Sequence, residues 1–99
     1  MFTYSKEQLE GWKKKYGNVY EVVAGDKKAL LHKPTRQDLS FAMAGSSQAK
    51  DSVKFSEILL KQLWIDGDLE IQENDDYFLS VVPVLGALSE VKEAEIKKL

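Results

Sequence analysis

Ninety-nine residues, 43% hydrophobic and 30% charged, are the size and composition of one globular domain spanning 1–99, and exclude a second on length. Fourteen Lys and Arg against sixteen Asp and Glu give a net charge of −2, without the basic excess that phosphate backbones select, which argues against a nucleic-acid partner. The absence of cysteine excludes a disulfide scaffold, a thiol nucleophile and every Cys-ligated metal site.

Residues 1–17 read as an N-terminal helix. Ser5 can accept the Gln8 backbone N–H while Gln8 reaches back to Ser5, a capping box. Leu9, Trp12 and Tyr16 then form a stripe, Lys13, Lys14 and Lys15 suit the negative end of the dipole, and Gly17 can supply a left-handed stop. From Val19 the period becomes two, with Tyr20, Val22 and Ala24 on one side and Val19, Glu21 and Val23 on the other. Gly25-Asp26 suits a tight turn, and Lys27 to Lys33 returns with Leu30 and Leu31 at its centre, so 18–33 is expected to be a β-hairpin. Two strands are marginal alone. One face must pack on helices, or the open edges must find a partner's strands.

The helical part is expected over 35–99. Thr35 with Asp38 opens a helix to about Ala44, with Leu39, Ala42 and Met43 as its apolar stripe, Phe41 to one side, and Gly45 as the left-handed residue after its end, before Ser46 and Ser47. Asp51 or Ser52 caps the next helix. There Phe55, Ile58, Leu59 and Leu63 recur at three and four, and Glu57 to Lys61 is a favourable i,i+4 pair. The run from Asp66 to Asp76 holds six carboxylates and no base, and reads as a solvated loop whose last carboxylates start a helix. That helix is expected from about Asp75 to near Lys98, on a stripe of Phe78, Val81, Val82, Leu85 and Leu88 continuing through Val91 to Ile96, kinked or divided at Pro83. The fold class is therefore α+β: a short N-terminal helix and a β-hairpin followed by three helices, with a helix-dominated core.

Chemistry finds little support. Asp66, Asp68 and Glu70 begin like a calcium loop, but Ile71 stands where Gly is needed and Tyr77 where a bidentate Glu is needed, so calcium binding at physiological levels is not expected. His32, the single histidine, cannot build a zinc set and is expected as a strand or strand-end residue. Serines 40, 46, 47, 52, 56, 80 and 89 have only that one base, and none sits in a Gly-x-Ser-x-Gly elbow. Paired carboxylates such as Asp75 and Asp76 diverge on a helix start, and the glycines are too scattered to cradle phosphate. No catalytic, cofactor-binding or metal residue is assigned. No apolar run approaches the roughly 20 residues needed to cross a bilayer, and the N-terminal Met-Phe-Thr-Tyr-Ser-Lys is no signal segment, so a soluble, untargeted, intracellular protein is expected.

Charge is divided unevenly along the chain: residues 1–36 carry a balance of +4 and residues 37–99 a balance of −6. The first reading is complementarity within the chain, with the hairpin and first helix against the acidic helices; the other is self-association or docking on a charged partner. The lysine triplet beside Trp12 and Tyr16 reads as dipole complementarity rather than a nucleic-acid contact.

The order of motifs has a wider likeness. After the hairpin come His32-Lys33-Pro34-Thr35-Arg36, Leu39-Ser40-Phe41-Ala42-Met43-Ala44 and Phe55-Ser56-Glu57-Ile58-Leu59-Leu60. Leu63-Trp64-Ile65-Asp66-Gly67-Asp68-Leu69-Glu70-Ile71 and Asp75-Asp76-Tyr77-Phe78-Leu79-Ser80 follow. Over 18–99 this order resembles small phage and prophage proteins of tail-morphogenesis regions, similar to tail assembly chaperones. Pro83 departs from the uninterrupted last helix of that pattern. The resemblance implies a non-enzymatic protein of the bacterial cytoplasm that binds the tape-measure protein during tail assembly and stays out of the finished virion. The alternatives are a small structural tail adaptor of the virion, or else a small enzyme or a phage-encoded interaction or inhibitor protein acting on a host partner. Phe41, Trp64, Ile65 and Tyr77, large side chains that the core stripes do not fully use, are the candidate partner-facing residues, and a homo-oligomer is compatible with them.

Overall fold

The computed structural model describes residues 1–46, 51–88 and 94–99. Ser5 opens α1 (Lys6–Tyr16) with the expected capping box: its hydroxyl accepts the Gln8 N–H at 3.1 Å, and the Gln8 side chain accepts the Ser5 N–H at 2.8 Å. Gly17 follows at φ +81°, its N–H donating to the Lys13 carbonyl at 2.9 Å. No residue of α1 is fully buried. The helix therefore depends on its aromatic stripe for attachment, since eleven residues have little stability alone.

β1 (Val19–Ala24) and β2 (Lys27–His32) form the expected hairpin, Ala24 opposite Lys27 and Val19 opposite His32, with Gly25 at φ +60° making the turn. Val22 and Ala24 are buried while Val23 is exposed, as the alternation requires. The hairpin is not open on both sides. A third strand, β3 (Trp64–Gly67), pairs antiparallel with β2 and makes the sheet order β1-β2-β3, with an irregularity between Leu30 and Leu31. Four residues, of which Asp66 and Gly67 carry no apolar side chain, are too short to show a period, so the segment reads as loop until its remote partner is known.

As the central strand, β2 buries Ala29, Leu30 and Leu31 in succession, which only a sheet covered on both faces allows. Ala29 and Leu31 belong to the main core; Leu30 points the other way and is 1% exposed. Its face is covered by the N-terminal region. The Tyr16 ring stacks on His32 with centroids 5.1 Å apart, and the Tyr4 hydroxyl donates to Glu21, the cross-strand neighbour of Leu30. Phe2 and Trp12 flank Tyr4 at 5.6 and 6.2 Å. Aromatic rings thus form a thin second layer on the sheet.

Thr35 and Asp38 cap α2 (Arg36–Gly45) reciprocally, the Asp38 N–H donating to the Thr35 hydroxyl at 3.2 Å and the Thr35 N–H to the Asp38 carboxylate at 2.9 Å. Gly45 is the last helical residue rather than a left-handed stop; Ser46 ends the helix at φ −100°. A Cβ at 45 would lie 2.5 Å from Ile58 Cδ1, so α2 and the next helix meet closely at this point. Met43, expected on the apolar stripe, is 46% exposed, because only the Leu39 and Ala42 side of α2 meets the core. Ser47 lies outside the described residues.

Asp51 is the cap of α3 (Ser52–Leu63), accepting the Lys54 N–H at 3.0 Å. Leu59, Leu60 and Leu63 are buried, Phe55 and Ile58 pack beside them, and Glu57 pairs with Lys61 at 3.6 Å on the wet side. After β3 comes a further element absent from the expected order, the single turn α4 (Glu70–Glu73), which buries Ile71. The Asn74 side chain then accepts the N–H of Asp76 at 3.0 Å and starts α5 (Asp75–Leu88).

Pro83 does not divide α5. It and Leu79, whose carbonyl loses its partner, both lie on the exposed side, where water can satisfy the carbonyl. The expected stripe does not reach Ile96, which is wholly exposed in an irregular stretch over 94–99, so Lys97 and Lys98 close no helix; Val91 lies outside the described residues. Helical propensity in so short a segment does not suffice without a surface to pack on. Phe78, Val81 and Leu85 of α5 complete the core against α3, Ile71 and the inner face of the sheet. The architecture is α+β with helix-dominated content.

Candidate partner-binding surface

The four large side chains singled out in the sequence do not form one patch. Trp64 begins β3 opposite Leu31 and, like Tyr77, packs against the core; Ile65 is half-buried beside Trp64. Tyr77 reaches the hairpin turn, where its hydroxyl donates to Asp26 at 2.7 Å, about 16 Å along β2 from the level of Trp64. Phe41 alone stands clear, 59% exposed on α2 beside a shallow hollow lined by Gln37, Ser40, Ala44 and Gln62.

A second surface collects residues that the stripes leave out. α3, α4 and the start of α5 enclose a groove of about 440 Å³ lined by Val53, Glu57, Gln72, Glu73, Asp75, Phe78 and Leu79. Phe78 is buried at its base, while Val53 and Leu79 are 52% and 55% exposed on its walls. Leu79 also belongs to the outer face of α5, where Ser80, Pro83, Val84, Gly86 and Ala87 are all exposed. From Tyr77 to Leu88 there is no charged residue. A helix apolar or uncharged all round is ordinarily covered on every side, and that run was the available signal for this surface. The stripe of inward positions conceals it, because Leu79 lies off that stripe.

The acidic run is dispersed by the fold. Asp68 joins the N-terminal region to the sheet, its Oδ2 accepting the backbone N–H of Phe2 and of Lys28, each at 2.9 Å. Asp66 accepts the Gly67 N–H at 2.8 Å, and Glu70 pairs with Lys27 at 3.6 Å, joining the basic hairpin to the acidic helices. Among the described residues no three His, Cys, Asp or Glu side chains gather as a metal site. His32 ends β2 as expected, its Nε2 2.9 Å from the Gln62 carbonyl oxygen and its Nδ1 3.0 Å from that of Lys33. It ties the end of β2 to the end of α3.

The Phe2 and Lys28 amides hold the Asp68 carboxyl below its ordinary value of 3.8, and the Tyr77 hydroxyl, followed by a backbone N–H, does the same for Asp26. Because both folded-state values are depressed, the stabilisation is complete above the ordinary value and is lost as pH falls through the lower folded ones. Thermal stability is therefore expected to fall between about pH 5 and pH 2, and the fall should be shallower in Asp68→Asn. Parallel slopes for the two proteins in melts followed by circular dichroism would contradict this role. Carboxylate partners raise two phenols, Glu21 that of Tyr4 and Asp26 that of Tyr77.

Among the described residues no helix is long and apolar enough to cross a membrane. No protein-family model, no curated protein and no solved structure matches the chain.

Proposed function

We propose that the chain is a phage or prophage protein of the tail-assembly-chaperone kind, which works in the bacterial cytoplasm by binding the tape-measure protein during tail morphogenesis rather than by catalysis. The order of motifs from Lys33-Pro34-Thr35-Arg36 to Asp75-Asp76-Tyr77 supports this reading. The observation that carries it is the uncharged outer face of α5 with the adjoining Val53–Leu79 groove. Among the described residues the core cluster takes only Phe78 from this surface, at the base of the groove, so the exposed Val53, Leu79 and Val84 serve no interior purpose. A chaperone for a long helical client needs a surface of this type.

Co-expression with the tape-measure protein of the same tail gene cluster tests the proposal. The client's soluble fraction is expected to rise and the two chains to purify together. Unchanged solubility with no co-purification would overturn the reading, and stoichiometric recovery of the chain from purified particles would replace it with a structural tail component.

A further inference from the structure

We infer that the groove between α3 and the α4–α5 corner is the seat of a basic amphipathic helix contributed by the client, an inference that rests on the proposed function for the client's identity but not for the helix's chemistry. The groove offers apolar walls at Val53 and Leu79 over Phe78, and a rim of carboxylates at Glu57, Glu73 and Asp75. Glu57 is already balanced by Lys61 at 3.6 Å and Lys54 at 3.9 Å. Glu73 and Asp75 make no ion pair among the described residues. Two negative charges without an ion pair among the described residues, beside an apolar trough, select a segment that brings apolar side chains with Lys or Arg next to them, and disfavour an acidic one.

The shape favours a helix over a small molecule. Leu79 is shared between the groove and the outer face of α5, so the apolar path continues beyond the trough along Pro83, Gly86 and Ala87, which recur on one side of the helix. Among the described residues an added Cβ at Gly86 would meet nothing within 4 Å, so this side is low and open enough for another backbone to approach. A bound helix would place side chains at i, i+3, i+4 and i+7 along that path. A second copy of the chain is a poorer occupant. Its basic helix is α1, whose rings are already engaged within the chain, Tyr16 on His32 and Trp12 on Tyr4.

The probe is a fluorescein-labelled synthetic peptide of about five helical turns, with Leu at i, i+3, i+4 and i+7 and Lys at the flanking positions, compared with the same peptide carrying Glu for Lys. Fluorescence polarisation with the full chain is expected to show binding of the Lys peptide at least about tenfold tighter than of the Glu peptide, weakening as salt is added. Leu79→Glu should weaken it by about tenfold or more and Glu73→Lys by about threefold or more; both sites are exposed, and Val53→Glu serves if Leu79→Glu melts early. Equal binding of the two peptides, no binding, or variants indistinguishable from the parent would overturn the assignment. So would a dimer that sediments as a monomer only in Leu79→Glu, since the face would then belong to a second copy.

Co-expression separates the two proposals. A parent chain that solubilises the client when Leu79→Glu does not supports the groove as the client site. If both solubilise it, the client binds elsewhere and the groove assignment falls while the function stands. If the parent fails, the function falls, and the peptide measurements alone decide the groove.

Discussion

Gly67→Ala is expected to destabilise the protein by about 4 kcal/mol, combining a strained backbone with an overpacked strand pair. Gly67 closes β3 at φ +156°, a conformation that residues with a Cβ rarely adopt. The added methyl would lie 2.5 Å from Ala29 Cα, 2.6 Å from Ala29 Cβ and 2.8 Å from the Lys28 carbonyl oxygen. These are mostly backbone atoms of the central strand, which cannot rotate aside as a flexible side chain would, so β3 must retreat from β2. Retreat also disturbs the next residue. The Asp68 N–H donates to the Lys28 carbonyl at 2.9 Å, and its carboxylate accepts the Phe2 and Lys28 amides. Urea denaturation reads the effect, with Gly11→Ala as control: a methyl there meets nothing within 4 Å in the interior of α1 and should stabilise by up to about 1 kcal/mol. A Gly67→Ala midpoint equal to that of the parent would show that β3 is not seated on β2 as described.

Leu59→Ala should cost about 3 kcal/mol, the middle of the range for truncating a buried leucine whose surroundings collapse only in part. Leu59 is 3% exposed in the middle of α3, within the cluster that holds Leu31, Leu63, Ile71 and Val81. Those neighbours come from four different elements. No single helix can shift to fill the space, so most of the cavity should persist. The measurement is the midpoint of chemical denaturation at unchanged slope, and a midpoint that stays in place would mean that this face of α3 is not interior.

Much of the fold could be read from residues close together in sequence. The Ser5–Gln8 and Thr35–Asp38 boxes, the Asp51 cap and the Gly25-Asp26 turn all join groups no more than three residues apart, so the sequence states them directly. Relations between distant residues were hidden. β3 exists because Leu30 and Leu31 offer an edge to Asp66 and Trp64, and nothing within Trp64–Gly67 announces that pairing. Gly45 illustrates the same limit: a glycine at a helix end suggests a left-handed stop, while the fold keeps it helical and beside Ile58 of the facing helix.

The candidate surface was legible in a different measure. A search for large aromatic residues marks Trp64 and Tyr77, which the fold draws toward the core, and Phe41, which it leaves outside. Leu79 and Val53 are smaller and fall between the stripes. The missing charge from Tyr77 to Leu88 points to Leu79, and nothing in the sequence singles out Val53.

The placement of β2 between two strands of very different sequence distance bears on the order of folding. β1 reaches β2 through a two-residue turn, whereas β3 must return across all of α2 and α3. Closing the longer connection costs about 2 kcal/mol more in chain entropy, a penalty removed only once those helices lie side by side and bring Trp64 back to Leu31. The hairpin can therefore assemble early, within microseconds, and the third strand joins late. Contacts made late are absent from the transition state, so damage at Gly67 should hasten unfolding and leave the refolding rate nearly unchanged.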